Sequence, residues 1–267
     1  MRMILAPLFS GSSGNCIYVG TDTEAVLIDA GVSASAILAE MEKSGLDASL
    51  VKALLITHEH TDHTNGIGPL ARKLDVPVYA TEGTFAGCGK KLGKLPPSRM
   101  ITVQTGADFY VGSIDILPFS TSHDCIDPCG YSFCCGGIRL SVVTDTGCIK
   151  KELLETVAGS DAVLLESNYN PDMLMAGRYP YELKKRIMGR RGHLSNEDAA
   201  ETAVKLYESG TRTVILGHLS KENNFPELAY QTSSDILAQN GILCGRDMSL
   251  CVARREGGNG VYTIESR

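Results

Sequence analysis

The run Thr57-His58-Glu59-His60-Thr61-Asp62-His63 constrains this chain more than any other stretch. It gathers three of the six histidines and a carboxylate into a few adjoining positions, directly after the apolar run Val51 to Ile56. A loop leaving a buried strand can turn alternate side chains inward. Imidazole nitrogen and carboxylate oxygen are ligands that suit zinc, manganese or iron. The pattern therefore predicts that His58 and His60 share one divalent ion and that Asp62 and His63 point at a second, with the ions roughly 3.5 to 4 Å apart. An exposed polar loop, or core histidines each satisfied by separate hydrogen bonds, is the plainer reading that this density of imidazoles argues against.

Two ions need more ligands than one loop supplies. His123, Asp145 and His218 each follow an apolar run: Ile114 to Phe119, Leu140 to Val143 and Val214 to Leu216. All three can thus converge on one rim of a sheet, with the Asp145 carboxylate able to bridge both ions. Taken singly, each is an ordinary loop residue, and the first cluster gives them their meaning.

With 267 residues, 43% hydrophobic and 21% charged, the chain can bury a full core and is neither disordered nor fibrous. Short apolar runs (Met3 to Phe9, Cys16 to Val19, Ala25 to Ile28, Val51 to Ile56, Val76 to Ala80) predict strands, with helices over Ser33 to Lys43 and Ile67 to Leu74. A strand-rich stretch follows from Met100 to Asp145. Alternation then returns, with helices over Lys151 to Val157, Tyr181 to Met188, Asn196 to Glu208 and Pro226 to Gln239. Strands are expected over Ala162 to Leu165, Thr213 to Leu216, Met248 to Ala253 and Val261 to Ile264. No linker divides the chain, so residues 1–267 read as one α/β domain with two halves. No apolar stretch is long enough to cross a bilayer, and Met3 to Phe9 is short for a signal segment. The expectation is a cytoplasmic protein without membrane contact, whose nine cysteines are reduced thiols. Among them Cys125, Cys129, Cys134 and Cys135 lack zinc-knuckle spacing and read as buried thiols.

A net charge of -6 argues against a general polyanion binder, yet Lys184, Lys185, Arg186, Arg190 and Arg191 crowd together just before His193. A helix carrying them could line a groove for a phosphate backbone, or form only a solvated face. Lys90, Lys91, Lys94 and Arg99 make a weaker patch. Ser12 and Asn15, within the turn Ser10 to Asn15, and Ser220 and Asn223 after His218, are candidate phosphate contacts; a strand-to-strand turn explains the first pair nearly as well. The loop Asn168 to Tyr181, with Met173, Leu174, Met175, Tyr179 and Tyr181, either walls the cleft or packs the cover helices.

On His58, His60, Asp62 and His63, the His-x-His-x-Asp-His signature, the chain resembles the metallo-β-lactamase superfamily. The resemblance implies the superfamily's αββα four-layer sandwich and extends over nearly the whole chain. Asp29 in Leu27-Ile28-Asp29-Ala30-Gly31 looks like the family's early aspartate, better read as orienting the histidine loop than as a ligand. His123 looks like its third histidine, Asp145 like its bridging aspartate and His218 like its last histidine. His60 and Asp145 speak against the flavodiiron and zinc β-lactamase branches. His123-Asp124 with Gly130-Tyr131-Ser132-Phe133, Leu165 to Tyr169, His193-Leu194-Ser195 and Gly217 to Ser220 are similar to ribonuclease Z relatives. Ser10 to Asn15, Gly31-Val32-Ser33 and the stretch Glu166 to His193 look more closely like the YycJ/WalJ group of bacterial metallohydrolases.

That likeness implies a dinuclear metal-dependent phosphodiesterase using zinc, manganese or iron, acting as a 5'-to-3' exonuclease on double-stranded DNA. The chain lacks the β-CASP insert and a flexible arm for transfer RNA, so long RNA is a poorer fit. Asp62, His193 and Glu166 are the assigned catalytic residues, Asp62 doubling as a ligand. His193 would protonate the leaving oxygen, held by Glu166, and a helix starting at Ser195 would aim its positive end at phosphate. The alternative is a small-molecule (cyclic) phosphodiesterase on the same fold. A non-enzymatic metal scaffold is the third class, and seven candidate ligands weigh against it.

Overall fold

The computed structural model describes residues 1–266, in which the apolar runs form two facing seven-stranded sheets. The first is built from β1 (Arg2–Phe9), β2 (Cys16–Gly20), β3 (Ala25–Ile28), β4 (Val51–Leu55), β5 (Val78–Ala80) and β6 (Met100–Thr102). The second holds β7 (Phe109–Val111), β8 (Ile114–Ser120), β9 (Cys129–Cys135), β10 (Ile138–Val143), β11 (Ala162–Glu166), β12 (Thr213–Gly217) and β13 (Ser249–Val252). β14 (Tyr262–Glu265) returns to the first sheet, antiparallel to β1. The strand orders are β14-β1-β2-β3-β4-β5-β6 and β13-β12-β11-β10-β9-β8-β7.

Alternation along each strand explains the layering. Ile17 and Val19 of β2 point between the sheets, where they join Met3, Leu5, Leu55, Ile116, Tyr131, Phe133, Leu140 and Ile215 in one core. Cys16 and Tyr18 point the other way, onto α1 (Ala34–Lys43) and α3 (Ile67–Leu74), through Ile37, Met41, Ile67 and Leu70. The outer face of the second sheet carries Val163, Leu165, Val214 and Leu216 against α5 (Lys151–Val157), α8 (Asn196–Glu208) and α9 (Pro226–Gln239). The order is helix, sheet, sheet, helix, the αββα sandwich. Each fully buried Leu or Ile contributes about 1.5–3 kcal/mol, so these three clusters hold the strand tips firmly.

What positions the site is direction. β3, β4, β5 and β6 run parallel, as do β10, β11, β12 and β13. Their carboxyl ends therefore lie along common rims, where Asp29, Thr57, Asp145, Glu166 and His218 emerge. Three short helices escape the periodicity reading: α2 (Thr61–Thr64), α4 (Glu82–Cys88) and α6 (Pro171–Ala176). α2 matters most, because the second half of the histidine run is a helical turn rather than open loop. The remaining helix, α7 (Tyr181–Met188), carries Lys184, Lys185 and Arg186, with Arg190 and Arg191 just past its end. No helix among the described residues is long and apolar enough to span a membrane.

Candidate metal centre and its cleft

Three imidazole nitrogens converge at the end of β4. His60 Nδ1 lies 3.1 Å from His58 Nε2 and 3.3 Å from His123 Nε2. Tetrahedral ligands at about 2.0–2.1 Å from zinc would stand about 3.3 Å apart, so the spacing suits one ion. A second group adjoins it: His63 Nε2 is 3.6 Å from Asp62 Oδ2, which is 3.9 Å from His218 Nε2. Asp145 reaches both, with Oδ1 3.7 Å from His123 Nε2 and Oδ2 3.3 Å from His63 Nε2. His218 Nε2 and Asp145 Oδ2 are buried without a hydrogen-bond partner, a costly state unless a cation meets them. The residues present therefore fit divalent metal, and all seven predicted ligands belong to groups that could hold it.

The backbone reaches this arrangement at some cost. Asp29, Asp145 and His218 all take left-handed conformations, with φ of 62°, 54° and 54°. Each costs on the order of 1 kcal/mol or more for a residue bearing a Cβ. Neighbours hold them there: Asn168 Nδ2 donates to the His218 carbonyl at 2.8 Å, and His218 N donates to Ser10 Oγ at 2.9 Å. The histidine loop is tied just as closely. Asn15 N donates to Asp62 O, Ala30 N to His63 O, and the α-carbon of Gly31 packs so near Asp62 O that a Cβ would collide with it.

Asp29 behaves as an orienting residue. Its carboxylate accepts Thr57 N and Thr57 Oγ1 at 2.8 Å each and faces His63 Nδ1 at 2.7 Å. Burial pushes the His63 pKa down, but Asp145, Asp29 and Asp62 more than reverse this and hold it up at about 9. His218 is likewise raised well above the usual range, against burial, by Asp145, Asp62 and Glu166. His58 and His60 go the other way, through burial and neighbouring imidazoles. Burial thus favours neutral His58 and His60, ready for a cation, whereas the carboxylates favour protons on His63 and His218 that a cation would displace.

Glu166, fully buried at the tip of β11, is the hub beside the centre. Its Oε1 faces His193 Nδ1 at 2.7 Å and His218 Nδ1 at 2.9 Å, and Oε2 accepts Thr146 N at 2.8 Å and Leu194 N at 3.3 Å. Burial would raise its pKa, yet the two imidazoles bring it far below the carboxylate range. With Nδ1 engaged, His193 has Nε2 left for the cleft it lines.

That cleft, about 240 Å³, is floored by His60, Asp62, Asp145 and His218 and walled by Ser12, Asn168, Tyr179, Leu183, Arg186, Ile187, His193 and Ser220. Ser12 and Ser220 thus reach it, whereas Asn15 and Asn223 do not. Asn15 is buried, its Oδ1 accepting Gly11 N and its Nδ2 facing His63 Nε2 at 3.0 Å; Asn223, also buried, donates its amide to Ser220 Oγ. Lys184, Lys185, Arg190 and Arg191 do not line it either. Lys184 Nζ donates to Met175 O, Lys185 sits over the Tyr181 ring, Arg190 is exposed, and Arg191 donates to the His123 and Cys125 carbonyls. The helical period is the reason: Leu183, Arg186 and Ile187 share the inward face of α7, which leaves Lys184 and Lys185 outside. Arg186, the one member of the five-cation run that lines the cleft, pairs there with Asp124. The start of α8 is closed by its own capping box, Ser195 with Asp198, and none of these first residues lines the cleft. All nine cysteines are free, and Cys134, Cys148, Cys244 and Cys251 are only partly buried.

A family model described as a beta-lactamase superfamily domain matches residues 24–219. The exodeoxyribonuclease YycJ of Bacillus anthracis is 38% identical over 245 residues, 92% of this chain and 93% of its own. The exodeoxyribonuclease WalJ of Streptococcus pneumoniae serotype 2 (strain D39) is 40% identical over 248 residues, 91% of each chain. In three dimensions, the metallo-β-lactamase fold protein YhfI from Bacillus subtilis superposes with a TM-score of 0.73 at 15% identity, covering 98% of this chain and 100% of its own. The chain belongs to the β-lactamase superfamily, and within it to the family of the YycJ and WalJ proteins.

Proposed function

We propose that this protein is a dinuclear metal-dependent phosphodiesterase that degrades double-stranded DNA from its ends, as a 5'-to-3' exonuclease. The observation that carries this is His193, held from behind by Glu166, lining the same cleft as two ligand clusters that Asp145 reaches. The YycJ and WalJ exodeoxyribonucleases, similar over nine-tenths of the chain, support the choice of substrate.

His58, His60, His123 and Asp145 would hold one ion, and Asp62, His63, His218 and Asp145 the other; zinc, manganese and iron all suit these donors. Bound divalent ions supply a water acidic enough to attack near neutral pH and neutralise phosphate charge. The protein does the rest. His193 gives its Nε2 proton to the leaving oxygen, and Glu166 keeps the ring in place through Nδ1. Arg186 exchanges Asp124 for a phosphate oxygen, Ser12 and Ser220 offer hydroxyls to the same group, and Tyr179, Leu183 and Ile187 give the sugar and base an apolar wall. Lys184, Lys185, Arg190 and Arg191 lie beyond the cleft, where they can meet the backbone of the flanking duplex without reading its sequence. The core shared by both sheets supports treating residues 1–267 as one domain.

The cleft volume also suits a small phosphodiester, the second reading. Metal-reconstituted protein incubated with end-labelled duplex DNA, single-stranded DNA, RNA and a chromogenic phosphodiester separates the two. Stepwise release from the 5' end of duplex, faster than the other substrates, is expected. Turnover of the chromogenic ester with intact DNA would replace the nuclease assignment by the alternative.

A further inference from the structure

A neutral imidazole that ligates through one nitrogen carries its proton on the other, and what accepts that proton fixes the ring. Four of the five clustered histidines meet an oxygen there: His58 Nδ1 meets Thr57 Oγ1 at 2.9 Å, His63 Nδ1 meets Asp29 Oδ2 at 2.7 Å, His123 Nδ1 meets Gly192 O at 2.9 Å and His218 Nδ1 meets Glu166 Oε1 at 2.9 Å. His60 is reversed. Its Nδ1 faces the cluster, and its Nε2 lies 3.4 Å from Cys125 Sγ, the one hydrogen-bond partner of that nitrogen among the described residues.

We propose that Cys125 is the positioning residue for His60: its sulfur accepts the Nε2 proton and so fixes the tautomer that presents Nδ1 to the metal. The thiol acts as an acceptor and not as a ligand because the nitrogen of His60 that faces His58 Nε2 and His123 Nε2 is Nδ1, whereas Cys125 Sγ meets Nε2, even though the sulfur lies within 4.8 Å of a donor atom on each of the three rings. The contact is built in. Cys125 is buried, its carbonyl accepts Arg191 Nη2 at 3.1 Å, the next amide, Ile126 N, donates to Glu59 Oε1 at 2.9 Å, and Asp127 O accepts Thr81 Oγ1 at 2.8 Å. Sulfur is a weaker acceptor than the oxygens serving the other four rings, which makes His60 the least firmly held imidazole of the centre.

This inference rests on the two-cluster reading, and the test separates them. Zinc affinity is measured by chelator competition on the wild type, Cys125→Ala and Cys125→Ser, with near-ultraviolet spectra of the cobalt-substituted forms. The wild type is expected to bind two ions and to lack an intense sulfur-to-cobalt band. Cys125→Ala should weaken one of the two by about 10-fold or more while the other is unchanged, and Cys125→Ser, which restores an acceptor, should recover most of it. Cys125→Val fills the same space without an acceptor and replaces the alanine variant should that fail to fold. Unchanged affinity for both ions in the alanine or valine protein overturns the proposal, as does a sulfur-to-cobalt band in the wild type, which would make Cys125 a ligand. A wild type that binds no metal sinks the underlying reading instead.

Discussion

Glu166→Gln isolates the hub of the site with almost no change of shape. The carboxylate accepts at both oxygens, from two imidazoles on one side and from Thr146 N and Leu194 N on the other. An amide has one acceptor atom and cannot serve both. If its NH₂ faces Thr146 and Leu194, two buried backbone donors oppose it, at about 1–3 kcal/mol each. If it faces the imidazoles, both rings must accept at Nδ1 and carry their protons on Nε2, which takes the lone pair of His218 away from the metal. The first outcome costs about 4 kcal/mol, or about 10 °C of melting temperature in a chain of this size. The second removes an ion ligand and should weaken metal binding about 10–100-fold. In the first outcome the oxygen still accepts from both rings but without the carboxylate's charge; in the second the hold on the His193 Nδ1 proton is lost, and turnover should fall by at least about 100-fold, the lower end for a general acid. Melting curves, metal content by elemental analysis and single-turnover cleavage of labelled duplex read the three effects separately. His193→Ala is the control, with slowed cleavage and metal retained. A Glu166→Gln protein with wild-type melting, metal content and rate would refute the assignment of Glu166 as the residue that positions both rings.

Asp145→Asn should bind less metal at both clusters and lose turnover, because the side chain loses the charge that reaches His123 and His63; two retained ions by elemental analysis would contradict the bridging role. Arg186→Ala should raise KM for duplex and flatten its salt dependence by about one phosphate contact, whereas Lys185→Ala, outside the cleft, should change both far less; equal effects would put the phosphate path elsewhere. Gly31→Ala should push the Asp62 carbonyl away and lower metal content, checked by elemental analysis against a far-ultraviolet spectrum that stays native. Removing metal should also expose a pH dependence. The folded pKa of His63, about 9 against the usual 6.5, means its contribution is complete below about pH 6.5 and is lost as pH rises toward 9. Metal-free protein should therefore lose up to about 3 kcal/mol over that window. The loaded form, whose ligands need neutral imidazole, should not, and parallel melting curves for the two forms would contradict this.

The strand tips were legible because each chemical residue follows an apolar run, and buried parallel strands end together. The helices Lys151–Val157, Tyr181–Met188, Asn196–Glu208 and Pro226–Gln239 coincide with the periodic segments. Less was legible where the signal is short or depends on phase. Thr61–Thr64 is one turn, and Glu82–Cys88 starts from a Thr81 cap with little apolar periodicity. Which of Lys184, Lys185 and Arg186 enters the cleft depends on how α7 is rotated about its axis, and Arg190 and Arg191 lie beyond the helix altogether. Asn15 and Asn223 are small polar residues beside a turn, and such residues look alike whether they greet a ligand or tie down their own loop. Cys125 meets His60 across 65 positions, a pairing that only the folded rim creates.

The centre gathers costs that the metal-free protein relieves only in part, by holding protons on His63 and His218. Asp29, Asp145 and His218 hold left-handed backbone, His218 Nε2 and Asp145 Oδ2 are buried without partners, and the charges of Asp62, Asp145 and Glu166 crowd against imidazoles of opposed protonation. Protons on His63 and His218 offset part of this while the pH is low; the three apolar clusters hold the fold, and they keep the strand tips together. A divalent ion meets the unpaired nitrogen and oxygen at once and replaces the protons on His63 and His218. Its binding energy is therefore expressed as stabilisation of one loop and three strand ends, not of the sandwich as a whole. Hydrogen exchange should show this directly: chelation should raise exchange at residues 58–64, 145–147 and 218–220 and leave the amides of β2, β9 and β11 protected. Global deprotection on chelation would mean that the ions hold the fold together and that the hydrophobic layers do not suffice.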